Sequence, residues 1–278
     1  MREHFCTFSF VDRITSLEPG ASIRGCYAIP ANVVAFPTSL VAEAVGQLAA
    51  WAAMKAVDFS HRPVAGIAGA IDLLSTVRPG QMLELVAKLE SVDTETVGYS
   101  GTAWVNGAPV IRLLDCVGPM VSLDDFDKPE GVREHCNKLQ SVGALAGRFQ
   151  GLPAPVLESE ECVTDELARA TLHVPSTAPF FADHFPRRPV FPGTLLMQAK
   201  LQAAAMLAGN RFCGGEPWLP RTICNVKLRS FISPGQALNL EVRRTDCSES
   251  RLSVAVESRI GQKLVGSADI QFSPATHA

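Results

Sequence analysis

The side chains best placed to do chemistry stand in one stretch, Phe180 to Leu207, which reads FFADHFPRRPVFPGTLLMQAKLQAAAML. His184 sits there in an apolar loop stiffened by Pro186, Pro189 and Pro192, between Asp183 and Phe185. Beyond Gly193 the chain has neither Pro nor Gly until Gly209 and is rich in Leu, Ala and Met, which predicts a helix opening at Gly193-Thr194. The first N–H groups of a helix have no acceptor inside it and lie at the positive end of its dipole, so they favour a developing negative charge. An imidazole beside such an oxyanion site is the beginning of an acid–base catalyst: the histidine takes a proton and the N–H groups hold the resulting charge. Gln198 and Gln202, four residues apart, share a face of the same helix.

A chain of 278 residues suits one large domain or two of about 100–150 residues. Hydrophobic residues make up 47% and charged residues 19%, enough apolar surface to bury a large core. The net charge of −3 gives no global basic field, which argues against non-specific nucleic-acid binding. Apolar runs are interrupted before the ~18 residues a membrane-spanning helix needs, so none is expected. Met1-Arg2-Glu3-His4-Phe5 lacks the basic-then-apolar order of a signal peptide, which sets the expectation of a cytoplasmic protein. Cys6, Cys26, Cys116, Cys136, Cys162, Cys213, Cys224 and Cys247 are scattered without a C-x-x-C, the pattern of small buried hydrophobes in a reducing compartment. No His/Cys pair has metal-ligand spacing, so no metal is expected. His4, His61, His135, His173 and His277 have no motif context and are expected at the surface.

From the start, Phe8 to Ile14 and Ala21 to Ile29 read as strands around a Pro19-Gly20 turn. Leu40 to Met54 is apolar nearly all round, the mark of a buried helix, with Glu43 and Gln47 interrupting one face at i and i+4. The two halves of the chain then superpose at an offset of 155 residues. Phe36-Pro37 matches Phe191-Pro192, Glu43 matches Gln198, Gln47 matches Gln202, and the turn Arg78-Pro79-Gly80-Gln81 matches Ser233-Pro234-Gly235-Gln236. Strand-like stretches follow both turns: Met82 to Val92, Thr96 to Val105 and Pro109 to Val117, against Ala237 to Arg244, Arg251 to Arg259 and Lys263 to Phe272. Each half therefore reads as strands, one long apolar helix and more antiparallel strands, an α+β pattern in which the helix covers the apolar face of its sheet. The expected organisation is a first repeat over 1–120, a linker over 121–160 and a second repeat over 161–278. The linker, with its acidic run Asp124 to Glu130 and its Gly and Pro punctuation, reads as a surface segment with one short helix from Arg133 to Val142.

The motif His184-Phe185-Pro186-x-x-Pro189-Val190-x-Pro192-Gly193 followed by a helix resembles the signature of the β-hydroxyacyl-acyl-carrier-protein dehydratases, which have the hot-dog fold. Phe8 to Ile14 resembles their opening strand. In that family an acid lies five residues after the glycine and a Gln four residues further on. Here Gln198 occupies the acid position and Gln202 fits the second. The repeat supplies the missing acid: Glu43 stands at the equivalent position of the first half, with Gln47 four residues on, while Thr38 replaces Gly193 and Ile29 falls opposite His184. Since the histidine and acid of one family site come from different protomers of a hot-dog dimer, the resemblance implies a fused double hot-dog with one composite site.

What it implies further is dehydration of a (3R)-hydroxyacyl thioester to the trans-2-enoyl thioester in fatty-acid or polyketide-type synthesis, without a metal or organic cofactor. His184 would take the α-proton, the Gly193 N–H would bind the thioester oxygen, and Glu43, oriented by Gln47, would protonate the departing hydroxyl. Phe185, Phe191, Pro192 and Thr194 are the candidate substrate-binding residues. Arg187 and Arg188 would meet the acyl carrier protein and its phosphopantetheine arm. A homo-oligomer of double hot-dogs would fit the same plan. A hot-dog acyl thioesterase and a non-catalytic acyl-binding subunit are the alternative readings.

Overall fold

The computed structural model describes residues 4–152, 156–164, 166–211 and 216–275. The first half contains β1 (Arg13–Glu18), β2 (Ser22–Ala28), α1 (Thr38–Ala56), β3 (His61–Pro63), β4 (Ile67–Leu73), β5 (Met82–Val92), β6 (Thr96–Val105) and β7 (Ala108–Ser122). After a helix α2 (Pro129–Gln140), the second half contains β8 (Leu157–Thr164), β9 (Leu167–His173), α3 (Gly193–Arg211), β10 (Trp218–Leu228), β11 (Ala237–Cys247), β12 (Leu252–Ile260) and β13 (Lys263–Pro274). Single 3-10 turns cover Leu123–Asp125 and Pro179–Ala182.

The strands join into one antiparallel sheet with the order β1-β2-β5-β6-β7-β4-β10-β13-β12-β11-β9-β8, and β3 adds to the end of β7. Sheet outweighs helix. Read inward from each edge, the succession is the same in both halves, and the halves meet at the β4–β10 pair. That pairing is self-reciprocal: Ala68 faces Val226 and Ile71 faces Ile223, and shifting each number by 155 exchanges the two pairs. Alternate residues of each strand point to the helices, as the period-2 pattern requires: Leu83, Leu85 and Ala87 from β5, Leu238, Leu240 and Val242 from β11. α1 and α3 lie against this face and against each other, which is why α1 is apolar on nearly every side.

Several expectations need correction. Phe8 to Asp12 is irregular rather than strand, because the Phe8 N–H is taken by Asp183 and the Phe10 N–H by Gln47, leaving β1 to begin at Arg13. β4 and β10, the strands that join the halves, had no clear alternation to announce them. The connecting segment is no surface linker: Leu123, Phe126, Val132, Cys136, Leu139 and Phe149 are buried, and its helix spans Pro129–Gln140. His135 is buried too, stacked on Phe5 with ring centroids 3.9 Å apart. His4 is partly buried and faces Asp127, while His61 and His173 keep polar surroundings at the surface. Cys26, Cys116, Cys136, Cys224 and Cys247 are free thiols, Cys116 and Cys136 buried. Cys213, His277 and the side chain of Cys162 lie outside the described residues. Among the described residues no helix is long and apolar enough to cross a membrane.

Strand pairing also moves one equivalence. Ala28 pairs with Met82 as His173 pairs with Ala237, and Ile29 donates to the Gln81 carbonyl as Val174 does to the Gln236 carbonyl. Ile29 is thus the counterpart of Val174, not of His184. The segment from β9 to α3, residues 174–192, is ten residues longer than the segment from β2 to α1, residues 29–37. His184 stands on that extra length.

Candidate active site

The histidine loop is held at both ends by its own backbone. The His184 N–H donates to the Phe180 carbonyl at 2.9 Å and the Val190 N–H to the His184 carbonyl at 3.0 Å. The imidazole Nδ1 lies 2.8 Å from the Val190 carbonyl oxygen. A carbonyl only accepts, so Nδ1 carries the hydrogen and Nε2 keeps its lone pair for the cavity that His184 lines. Burial lowers the imidazole's proton affinity, and the nearby Glu43 charge works against that shift without cancelling it. A neutral imidazole with a free Nε2 is the state a general base requires.

Asp183, next in the chain, does not contact the ring through a hydrogen bond. Its carboxylate accepts the backbone N–H groups of Phe5, Thr7 and Phe8, each at 2.7 Å, and so fastens the N-terminal segment to the histidine loop. Phe8 then meets the His184 ring edge-on, with centroids 5.6 Å apart. The same segment fixes Gln47, whose Oε1 accepts the Phe10 N–H at 2.8 Å and whose Nε2 donates to the Phe8 carbonyl at 3.0 Å and to Glu43 Oε1 at 2.9 Å. The other Glu43 oxygen accepts the Thr194 hydroxyl at 2.7 Å. Thr194 therefore holds the acid across the two halves. At the matching place, 155 residues away in each partner, the Ser39 hydroxyl donates to Gln198 Oε1 at 3.0 Å. The same hydroxyl-to-helix bridge occurs twice, once on a carboxylate and once on an amide.

At the start of α3 the Pro192 carbonyl accepts the N–H groups of Leu195 and Leu196, both at 3.1 Å. None of the described residues accepts those of Gly193 and Thr194, two residues that line the cavity. A Cβ on Gly193 would come within 2.5 Å of Leu228 Cδ1, so glycine lets β10 close over the helix start. The cavity has a volume of about 670 Å³ and brings His184, Glu43, Gln47, Gly193, Thr194, Phe185 and Phe191 onto one wall system. That size suits an acyl chain. Pro192 is not on it, because its role is to begin the helix. Arg188 lines the cavity and stacks on Phe126 and Phe231, whereas Arg187 turns away to Asp124, 2.6 Å off. Ile29 is buried in its turn, away from the cavity.

Sequence reasoning missed Arg62. Its guanidinium lies 3.7 Å over the Phe185 ring and 3.8 Å from Asp127, in the same cavity. Burial lowers its affinity for the proton to about 10, which leaves it charged at neutral pH, and that charge opposes protonation of His184. Nothing in the short β3 sequence distinguishes Arg62 from an exposed arginine.

Comparison with known proteins identifies the family. Residues 160–267 fit the ApeI-like family, described as ApeI dehydratase, a range that includes His184 and Gly193 but not Glu43. A 3-hydroxyacyl-[acyl-carrier-protein] dehydratase FabZ from Rhizorhabdus wittichii is 36% identical over 113 residues, 40% of this chain and 72% of that protein. The FabZ of Oenococcus oeni is 32% identical over 114 residues, 40% of this chain and 81% of its own length. The chain belongs to the FabZ dehydratase family. Its fold is the hot-dog fold. The dehydratase domain of PpsC from Mycobacterium tuberculosis, solved with C12:1-CoA, superposes with a TM-score of 0.58 at 15% identity, covering 96% of this chain and 99% of that one. An acyl-ACP thioesterase from Bacteroides thetaiotaomicron superposes with a TM-score of 0.54 at 12% identity, covering 91% and 98%. At such identities the superpositions speak for the fold and not for the reaction.

Proposed function

We propose that this chain dehydrates a (3R)-hydroxyacyl thioester, delivered on an acyl carrier protein in the cytoplasm, to the trans-2-enoyl thioester. The site is composite, built between two tandem hot-dog repeats, residues 1–120 and 161–278, with 121–160 packed between them. The observation that carries the reading is the Thr194–Glu43 hydrogen bond, which ties the acid of one half to the helix start that follows the histidine of the other. The repeated strand order and the self-reciprocal β4–β10 pair support the two-repeat organisation.

In this scheme His184 Nε2 removes the α-proton. The C–H electron pair moves toward the thioester carbonyl, whose oxygen is received by the Gly193 N–H. The pair then returns to form the Cα–Cβ double bond as the β-hydroxyl leaves, protonated by Glu43 to water. The proton on His184 afterwards restores Glu43. Gln47 and Thr194 keep the carboxyl aimed. Arg188, at the cavity, is the guanidinium on hand for the carrier and its phosphopantetheine, since Arg187 is engaged by Asp124.

The test is incubation of the purified chain with a 3-hydroxyacyl thioester. Enoyl product supports the proposal, free thiol means a thioesterase, and neither leaves only binding. Dehydration that survives both Glu43→Gln and His184→Ala overturns the composite site.

A further inference from the structure

Past His184 and Glu43 the cavity continues between the two halves, lined on the first-half side by Gly46, Tyr99 and Cys116 and on the second-half side by Met197, Leu201 and Ile223. One turn beyond Glu43 on α1, about 4.5 Å along the axis, stands Gly46. A glycine inside a buried helix costs about 1 kcal/mol relative to alanine, so its presence calls for a reason in packing. The reason is Tyr99 of β6: a Cβ on Gly46 would lie 3.3 Å from the Tyr99 hydroxyl oxygen, and both residues line the cavity. Tyr99 pairs across the ladder with Cys116 of β7, whose thiol sits beside that hydroxyl and lines the same space. The Tyr99 hydroxyl is hydrogen-bonded to the Cys116 thiol. Burial keeps both groups protonated, Tyr99 well above its ordinary range and Cys116 up to about 12.

The second half carries different residues at the corresponding places. Gly46 corresponds to Leu201 along the helices. Leu89 pairs with Tyr99 as Arg244 pairs with Val254, so Tyr99 corresponds to Val254, and Val254 faces Ile270 where Tyr99 faces Cys116. Val254 and Ile270 are both 0% exposed. Glycine, phenol and thiol in the half that carries Glu43 are thus leucine, valine and isoleucine in the other.

We propose that Gly46, Tyr99 and Cys116 form a distal subsite that accepts a hydrogen-bonding oxygen carried on the acyl chain, so that the preferred substrate class is an oxygenated 3-hydroxyacyl thioester, with a hydroxyl or keto group beyond the β-carbon. Gly46 provides the room, the neutral Tyr99 hydroxyl donates to or accepts from the ligand oxygen, and Cys116 shares the contact. The proposal rests on Glu43 and His184 being the centre from which the chain extends.

The experiment compares two series of 3-hydroxyacyl thioesters of equal length, one plain and one with a hydroxyl moved one carbon at a time along the chain. A four-carbon 3-hydroxyacyl thioester, too short to reach Tyr99, serves as reference. For the wild-type chain one position in the hydroxylated series is expected to show kcat/KM roughly 10–100 times that of its plain counterpart, since a site built to hydrogen-bond an oxygen penalises its absence. Tyr99→Phe should erase that ratio while leaving the four-carbon substrate unchanged. Gly46→Leu should exclude both long series and spare the four-carbon one. No preference at any position, or a preference that survives Tyr99→Phe, overturns the subsite. If none of these thioesters is dehydrated, the catalytic reading itself has failed. Equilibrium binding of the same two series to wild type and Tyr99→Phe then decides the subsite, equal affinities overturning it.

Discussion

The starts of α1 and α3 are built on one plan and differ in what they carry. At each, a hydroxyl one residue into the helix crosses to the other helix: Thr194 to Glu43, and Ser39 to Gln198. The chain approaches α1 by nine residues and α3 by nineteen. The lesson is that the scaffold alone does not make the chemistry. A carboxyl in place of an amide, a glycine in place of Thr38 and a ten-residue extension bearing His184 separate the proposed site from a structural copy of it.

Breaking the equipped side should have the largest effect. His184→Ala is expected to lower kcat for dehydration by about 10³-fold, within the range of general acid–base contributions, measured by enoyl formation under saturating substrate. Glu43→Gln should cost about 10²–10³-fold yet leave the melting temperature close to that of the wild type, because Gln198 shows that an amide makes the same bridge.

Gly193→Thr, which copies Thr38, should lower kcat by about tenfold to a hundredfold as Leu228 is displaced from the helix start. The converse change sharpens the comparison. Gln198→Glu should restore no second centre, since the loop that would carry a histidine is absent from the first half. A second titrating active centre in that variant would show that the loop is dispensable.

A further effect concerns stability and leaves the reaction aside. Burial, with Arg148 and Lys138 nearby, brings His135 down to about 3 from its ordinary 6.5. Between those values the unfolded chain binds a proton that the folded chain refuses. Stability is therefore complete above about pH 6.5 and is lost as the pH falls, by at most about 1.4 kcal/mol per pH unit from this group. His135→Phe should flatten that part of a denaturation-midpoint profile.

Much of this was legible in the residues. The Pro-Gly turns at Gly80 and Gly235, the helix-length apolar runs and the alternating strands each carry a strong local signal, and most element boundaries follow from them. The histidine loop and Glu43 were legible because an acid in an apolar helix is costly and calls for a role. Ile29 was misplaced for a physical reason: a constant offset cannot see an insertion between its anchors, whereas strand pairing can. The buried connector and Arg62 were hidden because their surroundings come from residues far away in the chain. Arg62 lies on a three-residue strand, and its environment is made by Phe185 and Asp127. Tyr99 needed both its strand partner and the helix above it before its hydroxyl had any meaning.

The clamp of Asp183 on the backbone of Phe5, Thr7 and Phe8 has a consequence for how the molecule comes to exist. The Phe5–Asp183 contact closes 178 residues of chain, and the segment it seats also orients Gln47 and hence the acid. Contacts of such separation are the slowest to form, and during synthesis the first repeat emerges well before Asp183 exists. The first-half strands and α1 can therefore assemble before Asp183 is there to fasten Phe5, Thr7 and Phe8. The cavity around His184 and Glu43 becomes the last region to acquire its shape, after the second half of the chain has arrived.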